Sequence, residues 1–385
     1  VCMMTWLLSV AMIVGGLTTD IFENLWVWGL ILFFTFPIVY ELLLDIFAWI
    51  VKNGVDENHA SVRFQNTFPI VYHPSYNITA CGLEKSLPFD LGKYGRIFEF
   101  LTKNNVITPR HEIHSPEMPS RAFLLEVMSP FYLFRLCYTP FICYYLEEAL
   151  LFLPAFYMRM TFLNPQLRAT QGGVDAASMA MTHKWAINLS GGYAHATKYC
   201  GAGACLYPDI TFMVHYVRKW HNIKKILILD LDAHQGNGFA RDLIHDQDIY
   251  IVDSYNPDIY PWDEYAKQAI KVDIPITAKT TDQNYLDDIR EDLSKAMATF
   301  EPEFVIYNAG SDPLSGDHLA HLNISAQGIV DREELVFEIV YEKHKVPIVM
   351  LLSGGFQMSN AQVVANSIEN LITRFKLDPL ANQQY

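Results

Sequence analysis

Three short apolar runs in the second half of the chain end alike, each breaking off onto small and polar residues. Residues 226–238 read ILILDLDAHQGNG, so branched aliphatics deliver Asp232 and His234 two positions apart, on one side of an extended backbone. Residues 304–308 lead into NAGSD and Asp312, and residues 346–352 run into Ser353, Gly354, Gly355 and Phe356. Runs of this length without polar alternation predict strands buried on both faces, hence a mostly parallel α/β sheet flanked by helices. Such sheets bind ligands beyond the carboxyl ends of their strands, which is where these residues fall. Two carboxylates and an imidazole converging there suit a catalytic-type zinc site with one coordination position open.

The first part of the chain has a different pattern. Residues 1–19 carry no charged side chain, Asp20 and Glu23 interrupt, and residues 25–40 resume with LWVWGLILFFTFPIVY. Glu41 and Asp45 then punctuate a run that ends near Val51. A helix needs about 20 apolar residues to span a bilayer. The first segment reaches that length, and the second does so if Glu41 sits at the far interface. Trp6, Trp26, Trp28 and Trp49 suit the headgroup layer. Residues 1–54 are therefore read as a membrane anchor of one or two transmembrane helices, and 55–385 as the α/β domain. A signal peptide is the alternative for the first segment, although it lacks a basic leading region and a second apolar run follows it. The chain begins at Val1, which either a cleaved targeting segment or an incomplete N-terminus would explain. A further hydrophobic stretch, residues 122–165, is broken by Arg135, Glu147, Glu148 and Arg159 and divided by prolines. It reads equally as a surface for a membrane or partner protein and as core with a heavy aromatic load.

Composition narrows the classes. The chain is 51% hydrophobic and 18% charged with a mean hydropathy of +0.11, which points to a membrane component. A net charge of −14 excludes a phosphate-neutralising surface, so no nucleic-acid partner is expected. The six cysteines are scattered without a CxxC pair, which fits neither a disulfide framework nor a thiolate zinc site.

DLDAHQGNG, NAGSD and LLSGGF, with TQGG at 170–173 and WAINLSGGYAH at 185–195, resemble the zinc-dependent histone deacetylase family. FPIVYHPSYNIT at 68–79, GLEKSLPFDLGKYG at 82–95, YAKQAI at 265–270 and GIVDREELVF at 328–337 resemble its class IV branch, the histone deacetylase 11 type. The resemblance covers roughly residues 66 to 376 and is weak between about 105 and 167. It implies an arginase/deacetylase-type fold with zinc held by Asp232, His234 and Asp312. It implies that Asp230 orients an active-site histidine and helps hold a buried potassium ion; the plain alternative for Asp230 is an acid capping the next helix. His195 would be the general base and acid.

The chain departs from the family at three places. Relatives carry two adjacent histidines after the glycine run, and here the first is Ala194, with the second retained as His195. Relatives carry a tyrosine after Ser-Gly-Gly whose hydroxyl donates to the developing oxyanion; Phe356 keeps the ring and loses the donor. Removing one oxyanion donor typically costs ~10²–10³ in rate. Ala320 and His321 stand where the class IV branch has a glycine pair beside the acyl pocket, and His321 is a remote candidate for a replacement imidazole. The expectation is a degenerate deacetylase-like protein, anchored in membrane lipid as an accessory subunit alongside other subunits of a larger complex. An organellar membrane is expected, with the mitochondrial inner membrane as the specific guess. The rival expectations are a working zinc deacylase acting on lysine near a membrane and a zinc-loaded acyl-lysine binding module.

Overall fold

In the computed structural model, the described residues are 64–80, 82, 84, 89–151, 153–378 and 380. Residues 1–54, read above as the membrane anchor, lie outside them. Eight strands form one sheet: β1 (Phe68–Val71), β2 (Ile113–His114), β3 (Trp185–Asn188), β4 (Ile226–Asp230), β5 (Ile249–Tyr255), β6 (Ile270–Pro275), β7 (Phe304–Asn308) and β8 (Ile348–Leu351). The α-helices are α1 (Lys93–Lys103), α2 (Arg121–Leu124), α3 (Pro130–Arg135), α4 (Thr139–Leu146), α5 (Ala155–Met158), α6 (Asn164–His183), α7 (Asp209–His221), α8 (Asn237–Leu243), α9 (Asp282–Phe300), α10 (Ala326–Phe337) and α11 (Asn360–Arg374).

The strand order is β2-β1-β3-β8-β7-β4-β5-β6, and every pairing is parallel. All-parallel sheets must be covered on both sides, and the strand residues sort accordingly. Leu227, Leu229, Val305, Tyr307 and Met350 face one core, shared with Ile97, Leu293, Val336 and Ile368 of α1, α9, α10 and α11. Their neighbours Ile226, Ile228, Phe304, Ile306 and Leu351 face the other, shared with Val174 and Phe212 of α6 and α7. The expected α/β architecture is therefore observed, as three layers.

The four central strands β3, β8, β7 and β4 send their carboxyl ends to one place. The chain leaves β3 for β4 through α7 and fills the two positions between them only later, so the loops after all four strands meet at this gap in the winding. A buried ion pair sits beneath: Arg332 donates to the Leu231 carbonyl at 3.0 Å and to Glu333 at 2.6 Å, while Tyr307 donates its hydroxyl to Glu333.

Residues 122–165 form several short helices rather than one long element. Pro130 and Pro140 occupy the first turns of α3 and α4, and Pro154 caps α5, so the prolines that divide the stretch begin its helices. Part of the segment is core, and part of it faces outward. Tyr132, Leu133, Ile142, Tyr145, Leu146, Phe162 and Leu163 pack into the second core, while Phe131, Phe141, Tyr144, Leu151 and Met160 face outward. No helix among the described residues is long and apolar enough to cross a membrane.

Candidate metal centre and acyl pocket

Asp232, His234 and Asp312 come together as the sequence motifs require. One ligand atom of each lies within 4.8 Å of the others, and all three residues are buried. His234 Nδ1 is 2.8 Å from Asp312 Oδ2 and 3.2 Å from Asp232 Oδ1. Two ligands held about 2.0–2.1 Å from one tetrahedral ion lie roughly 3.3 Å apart, so the set is close to zinc geometry. Space is kept between the carboxylates by Gly354, whose ideal Cβ would stand 2.4 Å from Asp232 Oδ2 and 2.6 Å from Asp312 Oδ2.

Both acids are pinned. Asp232 Oδ2 accepts from the Gly354 amide at 2.8 Å and lies 2.9 Å from the Ser353 hydroxyl, and Asp312 Oδ1 accepts from the Ala233 amide at 2.9 Å. Burial alone would lower the His234 pKa, but its bonds to Asp232 and Asp312 outweigh that and push it up to about 10. Burial and the charge of Asp232 lift Asp312 to about 7, whereas burial of Asp232 is overridden by His234, which holds that acid well below the usual carboxylate range. A proton on His234 thus does the charge-balancing that a divalent ion would do, and metal binding would release it.

His195 lies beside this centre, its ring edge-on to His234 with centroids 6.1 Å apart. Its Nδ1 is 2.8 Å from Asn237 Oδ1. The Asn237 amide nitrogen donates to Asp263 at 3.1 Å, and Asp263 is clamped by Arg241, so the oxygen of that amide faces the imidazole. An amide oxygen only accepts, which assigns the proton to Nδ1 and leaves Nε2 as the basic nitrogen. Burial, reinforced by His234, pushes His195 down to about 4.

The resemblance implies that Asp230 orients an active-site histidine, but no histidine is hydrogen-bonded to it among the described residues. Asp230 caps no helix. Its Oδ1 accepts from the Asp232 amide at 3.1 Å and from Asn308 at 2.9 Å, and its Oδ2 is buried without a hydrogen-bond partner among the described residues. Asp253, its register partner on β5, likewise has an unpartnered buried Oδ1. Burial and the charge of Asp253 push Asp230 well above the usual range, and the unpartnered oxygens are of the kind that would hold a proton or a monovalent cation.

Phe356 occupies the wall opposite. Its ring meets His234 edge-on at 5.9 Å and Phe89 at 5.6 Å, and its amide donates to Asp317 at 2.8 Å. Three of the tyrosine hydroxyls around the cavity are engaged elsewhere: Tyr76 donates to Asn188, Tyr94 to the Ser353 carbonyl and Tyr260 to Glu147, while Tyr193 also lines the cavity. His321 is exposed and outside the cavity, so it supplies no replacement imidazole, while Ala320 is fully buried. The cavity holds about 440 Å³ and is walled by Phe89, Leu146, Ile259, Tyr260, Leu319 and Phe356, with Glu147 and Glu148 also lining it.

Besides Asn237, two supporting residues went unnoticed in the sequence. Lys93 is buried in α1 and its ammonium donates to the carbonyls of Leu352, Ser353 and Gly354 at 3.2, 2.7 and 2.7 Å, which fixes the loop carrying Phe356. Burial lowers it to about 8 against the pull of Asp312 and Asp232. Asp209 accepts from the amides of Gly192 and Tyr193, holding a turn in which Gly191 and Gly192 have φ of +82° and +78°. The lysine within GKYG was visible, but its role depends on a loop about 260 residues away.

The histone deacetylase domain model matches residues 87–372. "Histone deacetylase 2" of Arabidopsis thaliana is 41% identical over 303 residues, 78% of each chain. An uncharacterized protein of Picosynechococcus sp. is 28% identical over 313 residues, 80% of this chain and 96% of that one. Among solved structures, the crystal structure of the HDA15 HD domain superposes with a TM-score of 0.65 at 16% identity, covering 80% of this chain and 88% of that chain, a likeness of fold. The fold and the site define a metal-site α/β protein of the deacetylase type. This chain belongs to the histone deacetylase family.

Proposed function

We propose that the chain is a catalytically degenerate member of the family, of the class IV branch, which retains a metal-dependent acyl-amide pocket and has lost efficient turnover. The observation that carries this reading is the wall facing the ligand set. There Phe356 offers a ring without a donor, Ala194 offers no imidazole, and the hydroxyls of Tyr76, Tyr94 and Tyr260 are committed to other acceptors. A divalent ion on Asp232, His234 and Asp312 would supply carbonyl polarisation and a more acidic water. The chain's own residues supply a base at His195 Nε2 and a cavity with apolar walls that would take an alkyl chain. A potassium ion at Asp230 is part of the proposal and is supported by the orphan oxygens of Asp230 and Asp253.

We place the protein in an organellar membrane, with the mitochondrial inner membrane as the specific assignment, as an accessory subunit bound to lipid and to other subunits. The apolar runs within residues 1–51 support the membrane part. The working-deacylase reading is supported by one specific observation, the ordered series His195–Asn237–Asp263–Arg241. The test is zinc-loaded protein with an acetyl-lysine peptide, following binding by calorimetry and product by mass spectrometry. Stoichiometric zinc with peptide binding and negligible product supports the proposal; sustained multiple turnover supports the deacylase; no zinc and no binding contradicts both.

A further inference from the structure

Half of the exposed large hydrophobic side chains among the described residues fall between positions 131 and 160. These are Phe131 at 61%, Phe141 at 41%, Tyr144 at 75%, Leu151 at 64% and Met160 at 67% exposure, and the other five are scattered. Two of them are brought together by a cation. The Arg135 guanidinium stands 4.3 Å from the Phe131 ring and 5.6 Å from the Phe141 ring, so α3 and α4 present one aromatic face. Tyr144 continues it one turn beyond Phe141, on the same side of α4. Arg135 is the only charged side chain between residues 131 and 146. The next acid, Glu147, turns away to accept from the Gly203 amide and Tyr260 at the cavity. Buried Tyr132, Leu133, Ile142 and Tyr145 hold the same helices onto the core, so the outward aromatics are not surplus core.

We propose that this aromatic face lies in the headgroup layer of a lipid bilayer. Phe131 and Phe141 bring apolar rings, Tyr144 adds a hydroxyl at its edge, and Arg135, which also donates to Tyr145, sets a cation among them, an apolar face with a basic residue of the kind that lies in this layer. The occupant is argued from the chain that precedes the fold, and to that extent the inference rests on the membrane-anchor reading. Val51 ends the last long apolar run and Phe64 is the first described residue, leaving residues 52–63 between them. A twelve-residue stretch reaches at most about 40 Å. The Phe64 carbonyl lies 2.8 Å from His183, at the C-terminal end of α6, and α6 begins at Asn164 just after the aromatic segment. A helix of that length spans roughly 30 Å, within the reach of those residues. One bilayer can therefore take both the N-terminal apolar runs and the aromatic face. Leu146 and Glu147 border the cavity from this same segment, so docking in this manner sets the pocket mouth beside the membrane surface.

The test uses the full chain in phosphatidylcholine vesicles containing a lipid with a diazirine on its acyl chain, with adducts mapped to peptides after photolysis. Adducts are expected in peptides covering 131–151. They should fall about tenfold in the Phe131→Gln, Phe141→Gln, Tyr144→Gln triple variant while adducts within 1–51 persist. All three side chains are exposed, and an unchanged thermal melt and zinc stoichiometry will verify that the variant folds. Adducts in 1–51 with none in 131–151 overturn the inference and leave the anchor standing. Adducts in 131–151 alone uphold the inference and overturn the anchor. Adducts in neither overturn both.

Discussion

Gly354 is the residue at which a single methyl group should separate metal binding from folding. Its ideal Cβ falls 2.4 Å from Asp232 Oδ2 and 2.6 Å from Asp312 Oδ2, between the two carboxylates. Neither acid can withdraw freely, since Asp232 is tied to the Gly354 amide and beside Ser353, and Asp312 to Ala233 and His234. Gly354 is not among the glycines with positive φ, so Gly354→Ala acts through bulk and not through backbone strain. Disturbing the groups that orient metal ligands typically costs 10–100-fold in affinity, and displacing two ligand oxygens should cost at least about that much, or roughly 1.4–2.8 kcal/mol. Overpacking a filled site adds about 1–3 kcal/mol against folding. The assay is competition of the apoprotein with a chromophoric zinc chelator, alongside a metal-free thermal melt. A Gly354→Ala protein that folds and binds zinc with the affinity of the parent would refute the assignment of the ion to the space between these carboxylates.

Three further outcomes follow from the same structure. Glu333→Ala leaves the fully buried Arg332 without its carboxylate and should cost about 3–5 kcal/mol in urea denaturation, whereas a surface acid such as Glu301 should cost little. Lys93→Met removes one donor from each of three carbonyls of the loop that carries Phe356, leaving Tyr94 on Ser353 and Ser311 on Gly354. It should lower stability by about 1–3 kcal/mol and weaken peptide binding more than zinc binding, checked by titrating each in turn. Burial lifts Asp242 to about 6, against about 3.9 in an unfolded chain. The fold therefore binds this proton more tightly, so its contribution is fully present below about pH 3.9 and is lost as pH rises through about 6. Asp242→Asn keeps an acceptor for the Lys198 amide and Thr211 and should flatten the stability–pH slope across that window; an unchanged slope would contradict it.

The central strands and the ligand set were legible in the sequence because each is a local signal. A fully buried parallel strand is an unbroken apolar run, and Asp232, His234 and Asp312 stand directly beyond two such runs. Strand β2 was not legible, since two residues carry no period. Lys93, Asp209 and Asn237 act through partners distant in the chain, and nothing near them marks a lysine, an aspartate or an asparagine as anything but ordinary. The apolar stretch at 122–165 was seen as composition without its organisation, because its helices are too short to show a repeat. Asp230 was identified through the histidine it serves in relatives, and in this chain the structure leaves part of its carboxylate unpartnered.

The central claim is that the ligand set is sound and that Ala194 and Phe356 silence it. The most direct measurement compares zinc-loaded parent protein with the Ala194→His, Phe356→Tyr double variant on an acetyl-lysine peptide under single-turnover conditions. Restoring the missing oxyanion donor should raise the rate by ~10²–10³ or more while zinc affinity stays the same. A parent protein that turns over within about tenfold of the double variant would contradict the account, because another group would then be supplying the proton that Phe356 cannot.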